Sequence, residues 1–281
     1  MHTFVFVAVL LAAACHAGWN AAIKRGLDPL ATTVSISIGA AFIALVLMPF
    51  AGLPALASWP WIAASVVIHL LYFAALIESY RSGDMGQVYP IARGSAPLLT
   101  AMATTVLVGE RLGLLGWCGI VLLAADVLLI SLRGSRDLQR LDRRAVGFAL
   151  FTAATICAYS LVDGVGARLS GNANAYSLAL FIGIGPVMAV YAFARSGRDM
   201  LIGLRRHPAV GLAGGALQLG SYAVAIWAMT VAPIALVAAL RETSVLFGAI
   251  LAVVLLKEPL RASRVAAALL IVSGLALIRL A

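Results

Sequence analysis

Two arginines lie inside apolar stretches of this chain, and each is followed at the same spacing by a glutamate. Arg93 lies 17 residues before Glu110, and Arg241 lies 17 residues before Glu258. An arginine at membrane depth costs about 3 kcal/mol or more unless it faces protein or water. We therefore expect both guanidinium groups to point inward, where either could pair bidentately with a carboxylate, a phosphate or a phosphonate.

An internal ion pair is the alternative role for these arginines. A pair and a binding site are compatible if a substrate displaces the acid. Glutamates 110 and 258 lie at helix ends, and we interpret them as turn-capping and packing residues. The acidic residues that could pair with an arginine are Glu78, Asp126, Asp163 and Glu242.

Polar side chains also form stripes at helical spacing. On the first apolar segment His16 and Asn20 are four residues apart with Trp19 beside them, which makes one face of that helix polar. Such a face is expected to line a cavity, although hydrogen bonds between helices are the alternative role for each group. The other predicted substrate contacts are His69, Tyr72, Tyr89, Gln218 and Tyr222. The predicted proton-coupling residues are His16, Asp126 and Glu242, because histidines and buried acids can titrate near neutral pH.

The composition indicates the class of protein that positions these residues. Hydrophobic residues make up 63% of 281 positions and charged residues 11%, whereas a soluble domain carries about 25% charged residues. Windows of about 20 apolar residues, long enough to cross a bilayer as a helix, fit ten times along the chain. The sequence therefore predicts an all-α integral membrane protein. The helices are expected near 3–23, 30–50, 59–80, 87–108, 113–132, 145–168, 174–194, 209–229, 233–256 and 260–280.

A basic segment, 133–144, divides these helices into a first five-helix repeat at 1–132 and a second at 145–281. Shifting the second half back by 148 positions aligns both arginines and both glutamates without a gap. An odd number of helices inverts the second copy in the membrane, and inverted repeats around a central cavity are typical of transporters. Lysines and arginines concentrate after the odd-numbered helices, which predicts a cytoplasmic linker and places both termini outside the cytoplasm.

Motifs of other function classes are missing from the sequence. It has no GxSxG, HExxH or CxxC element, and its lysines, Lys24 and Lys257, do not lie in a Walker A loop. We therefore expect neither an enzyme nor an ATP-driven pump. The net charge of +9 comes from basic residues at the ends of apolar runs, which argues against a nucleic-acid partner. The three cysteines are dispersed in apolar segments, so no metal site or cofactor is predicted.

Several short motifs together resemble the EamA-type transporters of the drug/metabolite transporter superfamily. They are His-Ala-Gly-Trp-Asn at 16–20, Tyr-Pro-Ile-Ala-Arg-Gly-Ser-Ala-Pro at 89–97, Gly-Glu-Arg-Leu at 109–112 and Lys-Glu-Pro-Leu at 257–260. The resemblance implies ten helices around a central cavity that opens alternately to either side, with secondary transport of small organic solutes. The chain departs from many relatives in having no lysine or arginine at its amino terminus or after the second helix.

These observations predict a multi-pass transporter of a bacterial-type inner membrane, with a small-molecule substrate and the lipid bilayer as its partners. The substrate is expected to be anionic or zwitterionic: amino-acid-like, a carboxylate or a phosphonate. Its transport could be proton-coupled, and a homodimer is compatible with the sequence. Multidrug or cationic-compound efflux is the alternative within this class. An intramembrane enzyme that uses His16 or His69 with Asp126, or a non-transporting scaffold, is the alternative outside it.

Overall fold

The protein is described by a computed structural model over residues 1–23, 29–82, 85–134, 143–197, 208–247 and 262–281. These residues form ten α-helices and no strand, as the hydropathy pattern predicted. The helix ends agree with the predicted ones within a few residues, except in the ninth helix. The helices are α1 (Thr3–Ile23), α2 (Pro29–Ala51), α3 (Trp59–Ser82), α4 (Met85–Ala103), α5 (Leu114–Gly134), α6 (Arg143–Ser170), α7 (Ala173–Ser196), α8 (Pro208–Val231), α9 (Ile234–Arg241) and α10 (Ala262–Leu280).

Hydropathy explains why these segments fold as long helices with apolar outer faces. Six apolar segments are long enough to cross a membrane, and α1, α5 and α10 contribute shorter apolar stretches. Large apolar side chains point outward along α2, where Phe42, Leu45 and Phe50 are all exposed. A helix satisfies its own backbone hydrogen bonds, so such a surface suits lipid. The six segments are Leu30–Ala51, Leu56–Leu76, Ile91–Val108, Val146–Ser170, Ala173–Ser196 and Pro208–Val231.

The most extensive helix contacts join the first five helices to the second five. Helix α2 packs against α7 and α8, α3 against α6, α1 against α8, and α5 against α10. Each helix of one half can be replaced by the corresponding helix of the other half, so that α3 becomes α8 and α6 becomes α1. This exchange converts the α3–α6 contact into the α8–α1 contact. The same exchange leaves α2–α7 and α5–α10 unchanged. The core therefore lies between the two halves of the chain.

Glycines allow α2 and α8 to approach each other closely. A Cβ atom on Gly39 would lie 2.2 Å from the carbonyl oxygen of Gly211, and one on Gly215 would lie 2.4 Å from the backbone nitrogen of Ala40. Real Cβ atoms do not approach other atoms so closely, so any side chain here would push the helices apart. The spacing of Gly211 and Gly215 predicted this close contact from the sequence.

The arginine-bearing helix of the first half is continuous, contrary to expectation. Pro90 and Pro97 on either side of Arg93 predicted an interrupted backbone there, but α4 runs without a break from Met85 to Ala103. A π-helical turn at Thr104–Val108 follows, and Gly109 ends it in the left-handed conformation.

The corresponding helix of the second half is the one that breaks, although it has no proline at this place. Helix α9 ends at Arg241. The N–H groups of Glu242 and Thr243 donate to carbonyl oxygens three residues earlier, as in a tight 3₁₀-like turn. The Thr243 hydroxyl also donates to the Leu240 carbonyl oxygen at 2.6 Å and so competes with regular helix bonding. Residues 244–247 are helical again.

The segment between the two halves is shorter than the sequence predicted. Helix α5 continues to Gly134 and α6 begins at Arg143, so helical structure enters both ends of the predicted linker 133–144. Its central residues, 135–142, lie outside the described residues. The division into two repeats at this segment stays a prediction.

Candidate functional site: a cavity between the two halves

A cavity opens among α1, α3, α6, α7, α8 and α9, with about 430 Å³ of empty volume when its open side is included. Much of that volume is open solvent, so the enclosed space is far smaller. Helices α1 and α3 belong to the first half and the other four to the second, so both halves build the cavity. Its lining residues are His16, His69, Tyr72, Phe73, Tyr159, Phe181, Ile184, Gln218, Ser221, Tyr222 and Arg241.

The structure brings together side chains that the sequence stripes singled out separately. The predicted substrate contacts that line the cavity are His16, His69, Tyr72, Gln218, Tyr222 and Arg241. The side chains of Trp19, Asn20 and Tyr89, and that of the proposed proton acceptor Asp126, lie outside the described residues. A role in substrate binding stays a prediction for every one of these residues.

Arg241 brings a positive charge to the cavity wall. Its guanidinium carbon lies 4.7 Å from the centroid of the Tyr222 ring and 6.0 Å from that of Tyr159. The negative face of an aromatic ring attracts a cation, which holds the guanidinium in place. Among the described residues no acid forms an ion pair with Arg241. Glu242, the next residue in the chain, attracts this charge from a greater distance.

Arg93 has a different environment, away from the cavity lining. Its Nε lies 2.7 Å from Oε2 of Glu242, and both side chains are almost fully buried. One of its terminal guanidinium nitrogens, Nη2, donates to the Ser244 hydroxyl at 3.1 Å. The Nε–H group is not directed at the carboxylate oxygen, so the attraction between the two residues is chiefly charge on charge. The structure thus selects Glu242 as the internal partner of Arg93, and substrate binding by Arg93 would require displacement of that acid.

Aromatic side chains and a histidine form the wall facing Arg241. The ring of His69 stacks on Tyr159 with centroids 4.4 Å apart, and Tyr222 meets its edge at 5.6 Å. Nδ1 of His69 lies 2.9 Å from the carbonyl oxygen of Ser65. A carbonyl oxygen only accepts, so Nδ1 carries a hydrogen and donates. In the neutral ring, Nε2 is then the hydrogen-bond acceptor.

Gln218 places an unsatisfied acceptor on the cavity. Its side chain is 8% exposed, and its Oε1 has no hydrogen-bond donor among the described residues. A buried acceptor without a donor costs about 1–3 kcal/mol. A donor on a bound molecule would remove that cost.

The sequence analysis overlooked a cluster behind the cavity wall. Asp163 was considered only as a partner for arginine, but it accepts hydrogen bonds from two tyrosines. The hydroxyl of Tyr176 donates to Oδ1 at 3.0 Å, and the hydroxyl of Tyr222 donates to Oδ2. Tyr159, which also lines the cavity, lies four residues before Asp163 on α6. That spacing puts both side chains on one helix face and was the available signal.

Glu110 has the capping geometry expected of it. Its Oε1 accepts from the backbone N–H of Ile234 at 2.9 Å, at the positive end of α9. The same oxygen lies 2.7 Å from the guanidinium of Arg168 on α6. The contact fastens the end of the first repeat to two helices of the second. Its counterpart Glu258 lies outside the described residues.

Comparison with known proteins assigns a family to the first half of the chain. Residues 3–132 match the EamA-like transporter family, which belongs to the drug/metabolite transporter superfamily. The first five helices are thus an EamA-like unit, which confirms the resemblance seen in the motifs.

Two individual proteins are also similar to this chain. Spermidine export protein MdtI from Shigella flexneri is 34% identical over 68 residues, a match that spans 24% of this chain and 62% of the relative. This chain therefore spans less than two thirds of that relative's length. A solved structure, described simply as a crystal structure of protein, has a TM-score of 0.71 at 18% identity and covers 99% of this chain and 96% of that chain. This second likeness establishes a shared fold.

Proposed function

We propose that the protein is a secondary transporter that carries a small organic solute with an anionic group through the cavity between its two halves. The observation that carries the proposal is Arg241, a cation on the cavity wall that forms no ion pair with a described acid. An arginine fork suits a carboxylate or a phosphonate, because it donates two parallel hydrogen bonds.

The two five-helix halves are proposed to form an inverted repeat that alternates around this cavity. One pair of packings supports the arrangement, since exchange of the halves converts the α3–α6 contact into the α8–α1 contact. The protein is proposed to lie in the cytoplasmic membrane with both termini outside the cytoplasm. A reporter enzyme that is active only in the cytoplasm, fused at the carboxyl terminus, tests the orientation, and activity there would overturn it.

The cavity fits a zwitterion with an apolar body better than a bare anion. Arg241 suits the carboxylate, and the unsatisfied Oε1 of Gln218 suits an ammonium donor. Tyr159 and Phe181 add apolar surface for the remainder of the molecule. The proposed substrate class is therefore an amino-acid-like compound with an aromatic or aliphatic side chain.

Three compounds that share a phenyl-alkyl skeleton test this assignment. They are L-phenylalanine, 3-phenylpropionate, which lacks the ammonium group, and phenethylamine, which lacks the carboxylate. In sealed proteoliposomes we expect saturable uptake and counterflow of the first two and neither for phenethylamine. Arg241→Gln should abolish both activities, whereas protein-free liposomes give the passive leak. Equal uptake of all three compounds by both proteins would contradict the proposal.

Export of an organic cation is the second candidate, and the similarity to a spermidine export protein favours it. On this hypothesis the rings of Tyr159 and Tyr222, which now hold the Arg241 guanidinium, would hold a substrate ammonium group instead. Saturable spermidine flux that 3-phenylpropionate does not inhibit, and that persists in Arg241→Gln, would establish the second candidate over the first.

A further inference from the structure

Asp163 is a buried acid that no part of the proposed substrate contact uses. It is completely buried on α6, and each carboxylate oxygen accepts a tyrosine hydroxyl. Among the described residues no basic group forms an ion pair with it. Its two oxygens are thus within hydrogen-bonding distance of tyrosine hydroxyls, and no described cation is in contact with them.

Tyr222 connects this acid to the cavity. Its hydroxyl donates to Asp163, its ring lines the cavity, and the face of the same ring carries the Arg241 guanidinium. A single side chain therefore touches both the buried acid and the cavity's cation. Tyr176 also donates to Asp163, but it does not line the cavity.

The other charged or titratable groups around Asp163 come from the helices packed against α6. Helix α3 contributes His69, whose ring meets the edge of Tyr222. Helix α7 contributes Tyr176, and α9 contributes Arg241. Arg93 on α4 lies 2.7 Å from Glu242, and the negative charge of that glutamate offsets the charge of Arg93. Arg241 is thus the arginine of this cluster that forms no ion pair with a described acid, although Glu242 also attracts its charge.

We propose that Asp163 is the proton-binding group of the transport cycle and takes up one proton when an anionic group binds Arg241. The proposal rests on the proposed function. An anion at Arg241 cancels the positive charge that stabilises the Asp163 carboxylate across Tyr222, and the penalty for a lone charge in a low-dielectric interior then favours the neutral acid. The proton comes from water in the cavity and forms the O–H bond of Asp163. The Tyr222 hydroxyl turns from donor to acceptor of that bond.

For a simple anion such as 3-phenylpropionate the step is electroneutral, because one negative charge and one proton enter the site together. A zwitterion with one proton adds one net positive charge. The group that would carry the proton is therefore different from the three predicted from the sequence. Glu242 forms an ion pair with Arg93, whereas His16 lines the cavity and stays a predicted proton-coupling residue. The side chain of Asp126 lies outside the described residues.

The first test needs no substrate. Infrared difference spectra of the purified protein in lipid, recorded across pH, report the C=O stretch of protonated carboxyl groups, and Asp163→Asn assigns the band of Asp163. Should Asp163→Asn fail to fold, Tyr176→Phe assigns the band by a change in its frequency, since it removes one hydrogen-bond donor. Arg241→Gln mimics neutralisation by an anion, so we expect it to change the pH range over which this band appears.

The double variant Arg93→Gln with Glu242→Gln is the matched control. It removes a repeat-equivalent arginine together with its counter-ion, so the charge near Asp163 is unchanged and the band should stay in place. A band that does not move in Arg241→Gln would overturn the proposal. So would a shift of the same size in the control.

The second test adds 3-phenylpropionate to the wild type in weak buffer with a pH indicator. Uptake of about one proton per bound ligand is expected, and Asp163→Asn should bind the ligand without that uptake. Binding without proton uptake in the wild type would overturn the coupling. Absence of any binding, together with an Arg241-dependent shift of the infrared band, would overturn the proposed substrate class and support Asp163 as the proton-binding group.

Discussion

Arg93 and Arg241 occupy the same place in the two halves of the sequence, yet they have opposite environments. Arg93 lies against a buried carboxylate at 2.7 Å and does not line the cavity. Arg241 lies on the cavity wall against two aromatic rings and has no described acidic partner. The comparison teaches that two arginines at equivalent positions of the sequence can have different environments, one in a buried ion pair and one on a cavity wall.

The difference arises from the backbone of the second half. Arg241 and Glu242 are adjacent at the end of α9, and successive side chains on a helix point about 100° apart. Arg241 reaches the tyrosines of α6 and α8, and Glu242 reaches Arg93 on α4. One turn therefore supplies both the cation of the cavity and the counter-ion of the other half.

Breaking the buried pair should have the largest effect. Glu242→Ala leaves Arg93 as an uncompensated buried charge, and we expect a loss of about 3–5 kcal/mol in the free energy of unfolding. Reversible denaturation in detergent micelles measures this loss. The double variant Arg93→Gln with Glu242→Gln should recover most of it, since no lone charge remains. If the stability losses of the two single variants simply add in the double variant, the two residues are not coupled.

Arg241→Gln should weaken ligand binding and leave the fold nearly unaffected. We expect the dissociation constant of 3-phenylpropionate to rise at least tenfold, or about 1.4 kcal/mol, because the bidentate donor is lost. Arg241→Lys is the matched variant: it retains the charge without the fork and should give an intermediate affinity. Titration calorimetry measures all three proteins. If Arg241→Gln loses as much unfolding free energy as Glu242→Ala does, both arginines have a structural role instead.

Ser244→Ala sharpens the comparison on the side of Arg93. The Ser244 hydroxyl accepts from the Arg93 guanidinium in a buried setting, so its loss should reduce stability by about 1.5 kcal/mol and leave ligand affinity unchanged. Ser221→Ala is the control for removal of a hydroxyl, because Ser221 donates only to a carbonyl of its own helix. Thermal unfolding distinguishes the two variants. Equal melting temperatures would show that the contact to Arg93 contributes nothing.

Gln218→Leu should produce the smallest change in stability, and of opposite sign. Removal of the unsatisfied acceptor is expected to stabilise the empty protein by about 1 kcal/mol. The same change should weaken binding of L-phenylalanine without affecting 3-phenylpropionate, because only the former has an ammonium donor. Melting curves with and without each compound measure both effects. Equal weakening for the two compounds would argue against Gln218 as the ammonium acceptor.

Hydropathy predicted the ten helices because membrane-spanning segments need long apolar runs, and the polar stripes predicted most of the described cavity lining. Two features could not be predicted in this way. The break after Arg241 has no proline to signal it, since it depends on hydrogen bonds of Glu242 and Thr243. The partner of Arg93 could not be chosen among four acids, because the choice depends on how α4 packs against the turn after α9.

The most direct test of the difference between the two arginines is a calorimetric titration of 3-phenylpropionate into three proteins: the wild type, Arg241→Gln, and the double variant Arg93→Gln with Glu242→Gln. The account predicts that the double variant binds as the wild type does and that Arg241→Gln does not bind. Binding retained in Arg241→Gln and lost in the double variant would contradict it and would place the substrate at Arg93.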